Sequence, residues 1–368
     1  MKNQASIPSL LTVWPSQILF FAFGKVTIIS GCQKSFLQFI NMFGVNIFTV
    51  TYVIWFNVNK KSISPELSVA EKTFRFAGTF YQIGLAAICL ISVVNFKAQK
   101  EVLQALNDQY QHLINDQPPK FIHRIRIYII SLFSCLVTAA IFVYYLVSCY
   151  SRCDWDRVLI LVACKSGYLV SVLYLWFFQI TLCHNLAHCQ KLLQVSSQNL
   201  PKVSEIFMKI VEVNRKFNET YWLQILIVMT CNISGILCVG FRLGCNYVLG
   251  DFVFAGGKND EIPILMMVAV IWPLCQIGSK KYDLVSNLIY QANKILTNSN
   301  NETKEKANEL LSLASSLPLN ISAGFFNINN SFFINSSGLI LTYLVILVQF
   351  QISFQQPEAN LNITRIGL

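Results

Sequence analysis

The feature that most constrains this chain is a series of apolar runs, each long enough to cross a lipid bilayer as a helix. A membrane helix needs about 20 mostly apolar residues to cross about 30 Å of hydrocarbon. Runs of about this length, with charged or turn residues at their edges, lie at 36–57, 73–96, 125–148, 158–183, 221–247, 262–279 and 338–354. The sequence therefore predicts seven membrane spans.

The composition excludes most soluble folds. The chain has 368 residues, of which 54% are hydrophobic and 12% charged, whereas soluble domains normally carry about 25% charged residues. Lipid cannot satisfy open backbone groups, and the chain lacks the short alternating stretches of a barrel, so the spans must be helices. We expect an all-α membrane protein with seven transmembrane helices. The net charge of +10 does not indicate nucleic-acid binding, because the basic residues are scattered in short clusters between the apolar runs.

The basic residues also predict the orientation of the bundle. The loops on the N-terminal side hold most of them, including Lys97, Lys216 and Lys281, while the opposite loops hold few, such as Arg152. Because basic side chains resist translocation, the N-terminus is predicted to be cytoplasmic and the C-terminus extracellular. A G-protein-coupled receptor has the opposite orientation.

Three segments on the predicted cytoplasmic side repeat apolar residues at helical spacing: 203–217, 284–296 and 307–317. We expect them to pack into a cytoplasmic collar, and the alternative is that they lie on the lipid surface. The predicted divisions are a cytoplasmic N-terminal segment (1–35), spans one to six with helical cytoplasmic extensions (36–279), cytoplasmic anchor helices (280–337), and the seventh span with a short extracellular tail (338–368).

The seventh span carries a distinctive pattern: Thr342-Tyr343, five apolar residues, then Gln349-Phe350. Thr342 and Gln349 share one helix face, with Ile346 between them, because seven residues make nearly two turns. In lipid, such polar groups must face other helices or water. This face therefore either holds the bundle together or lines a conduit.

The string TYLVILVQF resembles the C-terminal signature of the insect gustatory receptors, and the upstream segment 322–326 resembles the stretch before their final helix. The resemblance implies a ligand-gated, non-selective cation channel of four like subunits, homomeric or heteromeric, in the plasma membrane of chemosensory neurons. Each final helix would line a central pore. The pore and gate residues that it implies are Thr342, Tyr343, Ile346, Gln349 and Phe350.

The resemblance also implies roles along that helix. Gln349 and Phe350 would form the outer constriction, with the Phe350 ring as an apolar barrier and the Gln349 amide hydrating ions when the gate opens. Tyr343 would brace the helix against a neighbour. Leu344 follows the Thr-Tyr pair at a position where sugar-type members often carry an acidic residue. This favours a bitter or broadly tuned receptor over a sugar receptor, and a fructose-type member is the alternative.

A small-molecule tastant would bind in the outer half of spans two to six. Aromatic walls with a few polar groups suit a small organic ligand, although aromatic side chains also pack bundles and form interfacial belts. Lys165 would either line such a pocket or extend toward the membrane surface. The predicted ligand-binding residues are Tyr81, Gln82, Tyr145, Trp155, Lys165, Tyr168, Arg242, Asn246 and Met266.

Other motifs are weak. No nucleophile–base pair, phosphate loop or carboxylate dyad stands in a plausible setting, so we expect neither an enzyme nor a cofactor. His184 and His188 have i, i+4 spacing but lack a third metal ligand. The string at 156–158 faintly resembles a G-protein-coupling motif, which leaves a G-protein-coupled receptor as the alternative from another class. The candidates for one disulfide, with no pairing assigned, are Cys149, Cys153 and Cys245.

Overall fold

The structure is a computed structural model. It describes residues 17–19, 22, 25, 32–59, 69–116, 129, 132, 136, 143, 155–249, 261–298, 301–316 and 319–366.

Long helices dominate the described residues. They are α1 (Cys32–Asn59), α2 (Val69–Val94), α3 (Phe96–Asp116), α4 (Trp155–Val195), α5 (Leu200–Leu249), α6 (Glu261–Asn298), α7 (Asn301–Ser316) and α8 (Asn330–Ile366). A short 3-10 helix, Ser197–Asn199, joins α4 to α5. The strands β1 (Ile321–Ser322) and β2 (Asn327–Ile328) form an antiparallel hairpin before α8, with Ile321 opposite Ile328.

The predicted all-α architecture is confirmed. Six of the predicted spans fall on α1, α2, α4, α5, α6 and α8. The span predicted at 125–148 lies mostly outside the described residues, although positions 129, 132, 136 and 143 are helical. Among the described residues, the stretches that are long and apolar enough to cross a membrane are Tyr168–Val195, Ser197–Cys245 and Asn330–Ser353. A bent pair, Gly78–Val94 with Phe96–Gln109, accounts for one more if it forms one span.

The bend between α2 and α3 is 77° and lies at Asn95, whose side-chain amide donates to the Thr220 carbonyl of α5 at 3.4 Å. After the bend, α3 buries Val102, Leu103 and Leu106 in the core. The sequence analysis predicted the end of the second span but missed this helix.

Helix α5 extends far beyond a bilayer. Its 50 residues span about 75 Å at 1.5 Å per residue, against about 30 Å of hydrocarbon. The predicted apolar stripe at its N-terminal end is buried within this chain, where Phe207, Ile210 and Phe217 are fully inaccessible. These side chains pack on other helices and do not lie on a lipid surface. Aromatic stacking reinforces the core, since the rings of Phe178 and Phe217 are 4.4 Å apart between centroids.

The hairpin fixes the point where the chain turns into α8. Gly324 has φ of +82°, a conformation that side chains rarely adopt. A Cβ there would also come within 2.8 Å of the Trp222 ring. The Ala323 N–H donates to the Phe326 carbonyl at 3.0 Å, and the Phe326 ring stacks on Phe332 of α8 at 4.6 Å. Residues 322–326, which the sequence analysis singled out, therefore form the end of β1 and the turn of this hairpin.

Candidate functional site

Helix α8 has one packed face and one open face. No residue in the most apolar window of Asn330–Ser353 is buried within the chain. Thr342 and Gln349, about 20° apart around the helix at 100° per residue, are both exposed. The hydroxyl of Thr342 donates to the Gly338 carbonyl of its own helix at 2.9 Å. That hydrogen bond therefore does not hold α8 to another helix of this chain.

The other residues predicted for the pore lie on the same open side. Tyr343 is 56% exposed, Ile346 39% and Phe350 60%. Tyr343 is thus not buried against a helix of its own chain, so any helix that it braces would belong to another subunit. The structure brings all five predicted pore residues to one continuous surface, while their roles in a pore stay predictions.

The packed face of α8 fits into a groove on α5. A Cβ added at Gly240 would lie 2.9 Å from Cδ1 of Leu344, and one added at Gly244 would lie 2.8 Å from Cγ2 of Val348. Two glycines four residues apart allow close approach of membrane helices, and Leu344 and Val348 have the same spacing. The sequence analysis missed this contact, although the string Gly-Phe-Arg-Leu-Gly at 240–244 carried the signal.

Two predicted ligand-binding residues meet in a polar cluster that joins α2, α4 and α5. The rings of Tyr81 and Tyr168 pack edge to face at 5.3 Å. Asn232 of α5 donates to the Tyr168 hydroxyl at 2.6 Å and accepts from the Tyr81 hydroxyl at 3.4 Å. Tyr168 donates in turn to the Val228 carbonyl at 2.7 Å. We call Tyr81, Tyr168 and Asn232 the tyrosine–asparagine cluster.

Asn232 was missed by the sequence analysis. It is 1% exposed and lies near the middle of the span predicted at 221–247. A polar side chain at that depth is costly unless it is hydrogen-bonded, and it is a recognised mark of function. Its position in the span was therefore a signal that the sequence already contained.

Two other predicted ligand residues, Gln82 and Arg242, have side chains that the structure describes. Gln82 and Arg242 are buried, and Arg242 lies ten residues beyond Asn232, about 15 Å along α5. Trp155, Lys165, Asn246 and Met266 lie on α4, α5 and α6, but their side chains are outside the described part, as is the whole of Tyr145. Their part in binding stays a prediction.

An apolar cleft of about 170 Å³ opens between α5, α6 and α8. Ile233, Val268 and Leu344 contribute to its walls, and two hydroxyls, of Ser336 and Ser337, lie at its edge. Among the predicted ligand-binding residues whose side chains the structure describes, namely Tyr81, Gln82, Tyr168 and Arg242, none lines this cleft. It lies beside the final helix and not at the tyrosine–asparagine cluster.

Two structural observations concern the predictions about the disulfide and about metal binding. Cys245 carries a free, buried thiol, so the structure does not place it in a disulfide, while Cys149 and Cys153 lie outside the described residues. Within the described part of the chain, no group of three or more His, Cys, Asp or Glu side chains has an arrangement that could hold a metal ion.

Comparison with known proteins decides the family. The family model for the 7tm chemosensory receptors matches residues 28–354. This chain belongs to that family. The seven-span fold expected from the sequence is thereby shown. No curated protein matches the receptor.

Solved structures support the same fold. The receptor is similar to the insect olfactory receptor OR5 from Machilis hrabei, with a TM-score of 0.67 and 12% identity over 91% of this chain and 97% of that one. It is also similar to OR5 in complex with eugenol, with a TM-score of 0.64 and 14% identity over 92% of this chain and 98% of that one. At such low identity the likeness shows a shared fold.

Proposed function

We propose that this chemosensory receptor is a subunit of a ligand-gated cation channel that opens when it binds a small-molecule tastant. Four like subunits would surround a pore lined by α8, in the plasma membrane of chemosensory neurons. The open face of α8 is the observation that carries the proposal. This membrane helix has no buried residue in its most apolar window, and on its exposed side it carries the Gln349 amide, a polar group that lipid cannot satisfy.

The Gln349 amide on that face needs water or another subunit as its surroundings. Lipid would leave the Gln349 amide without partners, whereas a water-filled conduit would hydrate it. The large apolar side chain of Phe350 beside it suits a constriction that excludes water when closed. A pore shared among copies of the chain accounts for both side chains.

The tyrosine–asparagine cluster is the proposed region of ligand binding. Aromatic rings beside a few polar groups suit a small organic molecule, and the similar receptor OR5 has been solved with eugenol. A ligand that inserts between α2, α4 and α5 and binds the open state more tightly would shift the receptor toward conduction. The absence of an acidic residue after Tyr343 favours a bitter or broadly tuned ligand over a sugar.

Current recordings from cells that express the receptor test this proposal. We would apply eugenol, sucrose, fructose, caffeine and quinine, and compare wild type with Gln349→Ala, Phe350→Ala and the control Leu347→Ala. Leu347 lies on the flank of α8 between the two faces. We expect altered gating or ion permeation in the first two variants at unchanged surface level, and near wild-type behaviour in the control. Permeation and gating untouched by both variants would count against a pore at this face.

Antibody access to a C-terminal tag on intact cells separates the channel from a G-protein-coupled receptor. External staining agrees with the orientation predicted from the basic loops. Internal staining with ligand-evoked second messengers would favour the G-protein-coupled alternative.

A further inference from the structure

One lysine of α6 is buried with no acidic partner among the residues that the structure describes. The ammonium group of Lys281 donates to the side-chain carbonyl of Gln179 on α4 at 2.8 Å and to that of Asn214 on α5 at 2.6 Å. Lys281 is fully inaccessible, and the ion pairs found among the described residues do not include it. Burying a charge is costly unless it is hydrogen-bonded, so these two amide oxygens are what hold it there.

The hydrogen bonds continue from Lys281 to the hairpin. The amide nitrogen of Asn214 donates to the Asn320 carbonyl at 3.3 Å, and that of Asn218 donates to the same carbonyl at 2.9 Å. Asn218 also accepts from the Ser322 N–H at 3.2 Å. The position of α5 is therefore tied, through a few hydrogen bonds, to the start of the hairpin that leads into α8.

The same turn of α6 touches the hairpin and α8 directly. A Cβ at Gly278 would overlap the backbone oxygen of Ile328 in β2, so only glycine permits this approach. The hydroxyl of Ser279 accepts from the N–H of Asn330, the first residue of α8, at 2.9 Å. Residues 278–281 thus contact α4, α5, the hairpin and α8 within a single helical turn.

We propose that the turn at 278–281 is the joint that transmits movement of α4 and α5 to the final helix, with Lys281 as its positioning residue. The inference rests on the proposed channel function for its effect on gating. The tyrosine–asparagine cluster lies on α2, α4 and α5, whereas the open face lies on α8. The turn at 278–281 contacts α4 and α5 on one side and the N-terminal end of α8 on the other. It therefore connects the two regions.

The first test is hydrogen–deuterium exchange of the full-length receptor in detergent, without any ligand. Lys281→Met removes the donor while keeping a long side chain, and the control Lys280→Met alters the exposed neighbour. Loss of charge-assisted hydrogen bonds should speed exchange in peptides covering 319–332 by about tenfold in Lys281→Met. We expect no change there in Lys280→Met. Equal exchange rates of these peptides in the two variants would overturn the proposal that residues 278–281 form this joint.

A milder variant keeps the test decisive if Lys281→Met does not fold. Ser279→Ala removes only the acceptor of the Asn330 N–H, so we expect faster exchange confined to the first turn of α8. Unchanged exchange at that turn would overturn the contact and the joint with it.

The current, divided by the number of receptors at the cell surface, distinguishes a role in transmitting movement to α8 from a merely structural role. With and without the compounds named above, Lys281→Met should change the ratio of open to closed channels by about fivefold, which corresponds to a coupling free energy of about 1 kcal/mol, and leave unitary conductance unchanged. Faster exchange with unchanged open probability would overturn transmission. A wild-type receptor that never conducts would count against the channel function, while the exchange result would still decide the joint.

Discussion

The buried ammonium group of Lys281 predicts a specific dependence of stability on pH. Burial lowers the pKa of Lys281 from 10.5 to about 8, and the nearby Cys183 thiol offsets part of this effect. Between these two values the unfolded chain keeps a proton that the folded receptor has lost, so raising the pH favours the folded state. Below about pH 8 the contribution of this group is constant, and the rise ends near pH 10.5.

The size of the effect follows from the two pKa values. A difference of about 2.5 pH units corresponds to about 3 kcal/mol of unfolding free energy. With an entropy of unfolding of roughly 2.1 cal/mol/K per residue, the whole chain should gain about 4 °C in melting temperature from this group. Other groups titrate in the same range, so the quantity to measure is the difference between wild type and Lys281→Met.

Thermal unfolding of the purified receptor in detergent, followed from pH 6 to pH 11, measures that difference. We expect the wild-type curve to rise relative to Lys281→Met between about pH 8 and 10.5. The control Lys280→Met, which alters an exposed side chain, should run parallel to wild type. Parallel curves for wild type and Lys281→Met across this range would refute the reasoning.

Two further predictions concern helix packing and use the same thermal assay. Gly240→Ala places a Cβ 2.9 Å from Cδ1 of Leu344, so Leu344 must shift, and we expect this repacking to offset the gain of about 0.5–1 kcal/mol that alanine brings to a helix. In the control Gly78→Ala the new Cβ meets no atom of the described residues within 4 Å, and it should stabilise the helix by about 0.5–1 kcal/mol; equal stabilisation by the two variants would contradict the close packing at Gly240. Asn232→Leu removes one hydrogen bond from the buried Tyr168 hydroxyl and one from the half-buried Tyr81 hydroxyl, which should cost about 1–3 kcal/mol and alter ligand potency. Thr230→Val, on the exposed side of α5, should be close to neutral, and equal losses in these two variants would argue against the cluster.

Most of the helical architecture could be predicted because hydrophobic length is a strong signal in a membrane protein. The apolar stripe around Phe207 also predicted a packed extension of α5. The bend at Asn95 was missed because nothing in the local sequence reports a hydrogen bond to Thr220, 125 residues away. The helix after the bend has a mostly polar composition, so its short apolar stripe did not stand out from a loop.

The candidate site was predictable only in part. The pattern from Thr342 to Phe350 predicted that the polar residues share one face of α8. It did not predict which residues would pack against the other face. Sequence analysis also treated Lys281 as an ordinary cytoplasmic basic residue, because its burial depends on amides from α4 and α5. Long-range contacts of this kind depend on how the helices meet, which local periodicity does not specify.

The glycine groove on α5 has a consequence for the dynamics of the final helix. Leu344 and Val348 lie against Gly240 and Gly244 of α5, and they also pack against the side chains of Phe241 and Cys245 on the same helix. Sliding of α8 along α5 would have to displace Phe241 or Cys245, because both contact the side chains that would move. We therefore expect this part of α8 and the C-terminal end of α5 to shift together when the receptor changes conformation.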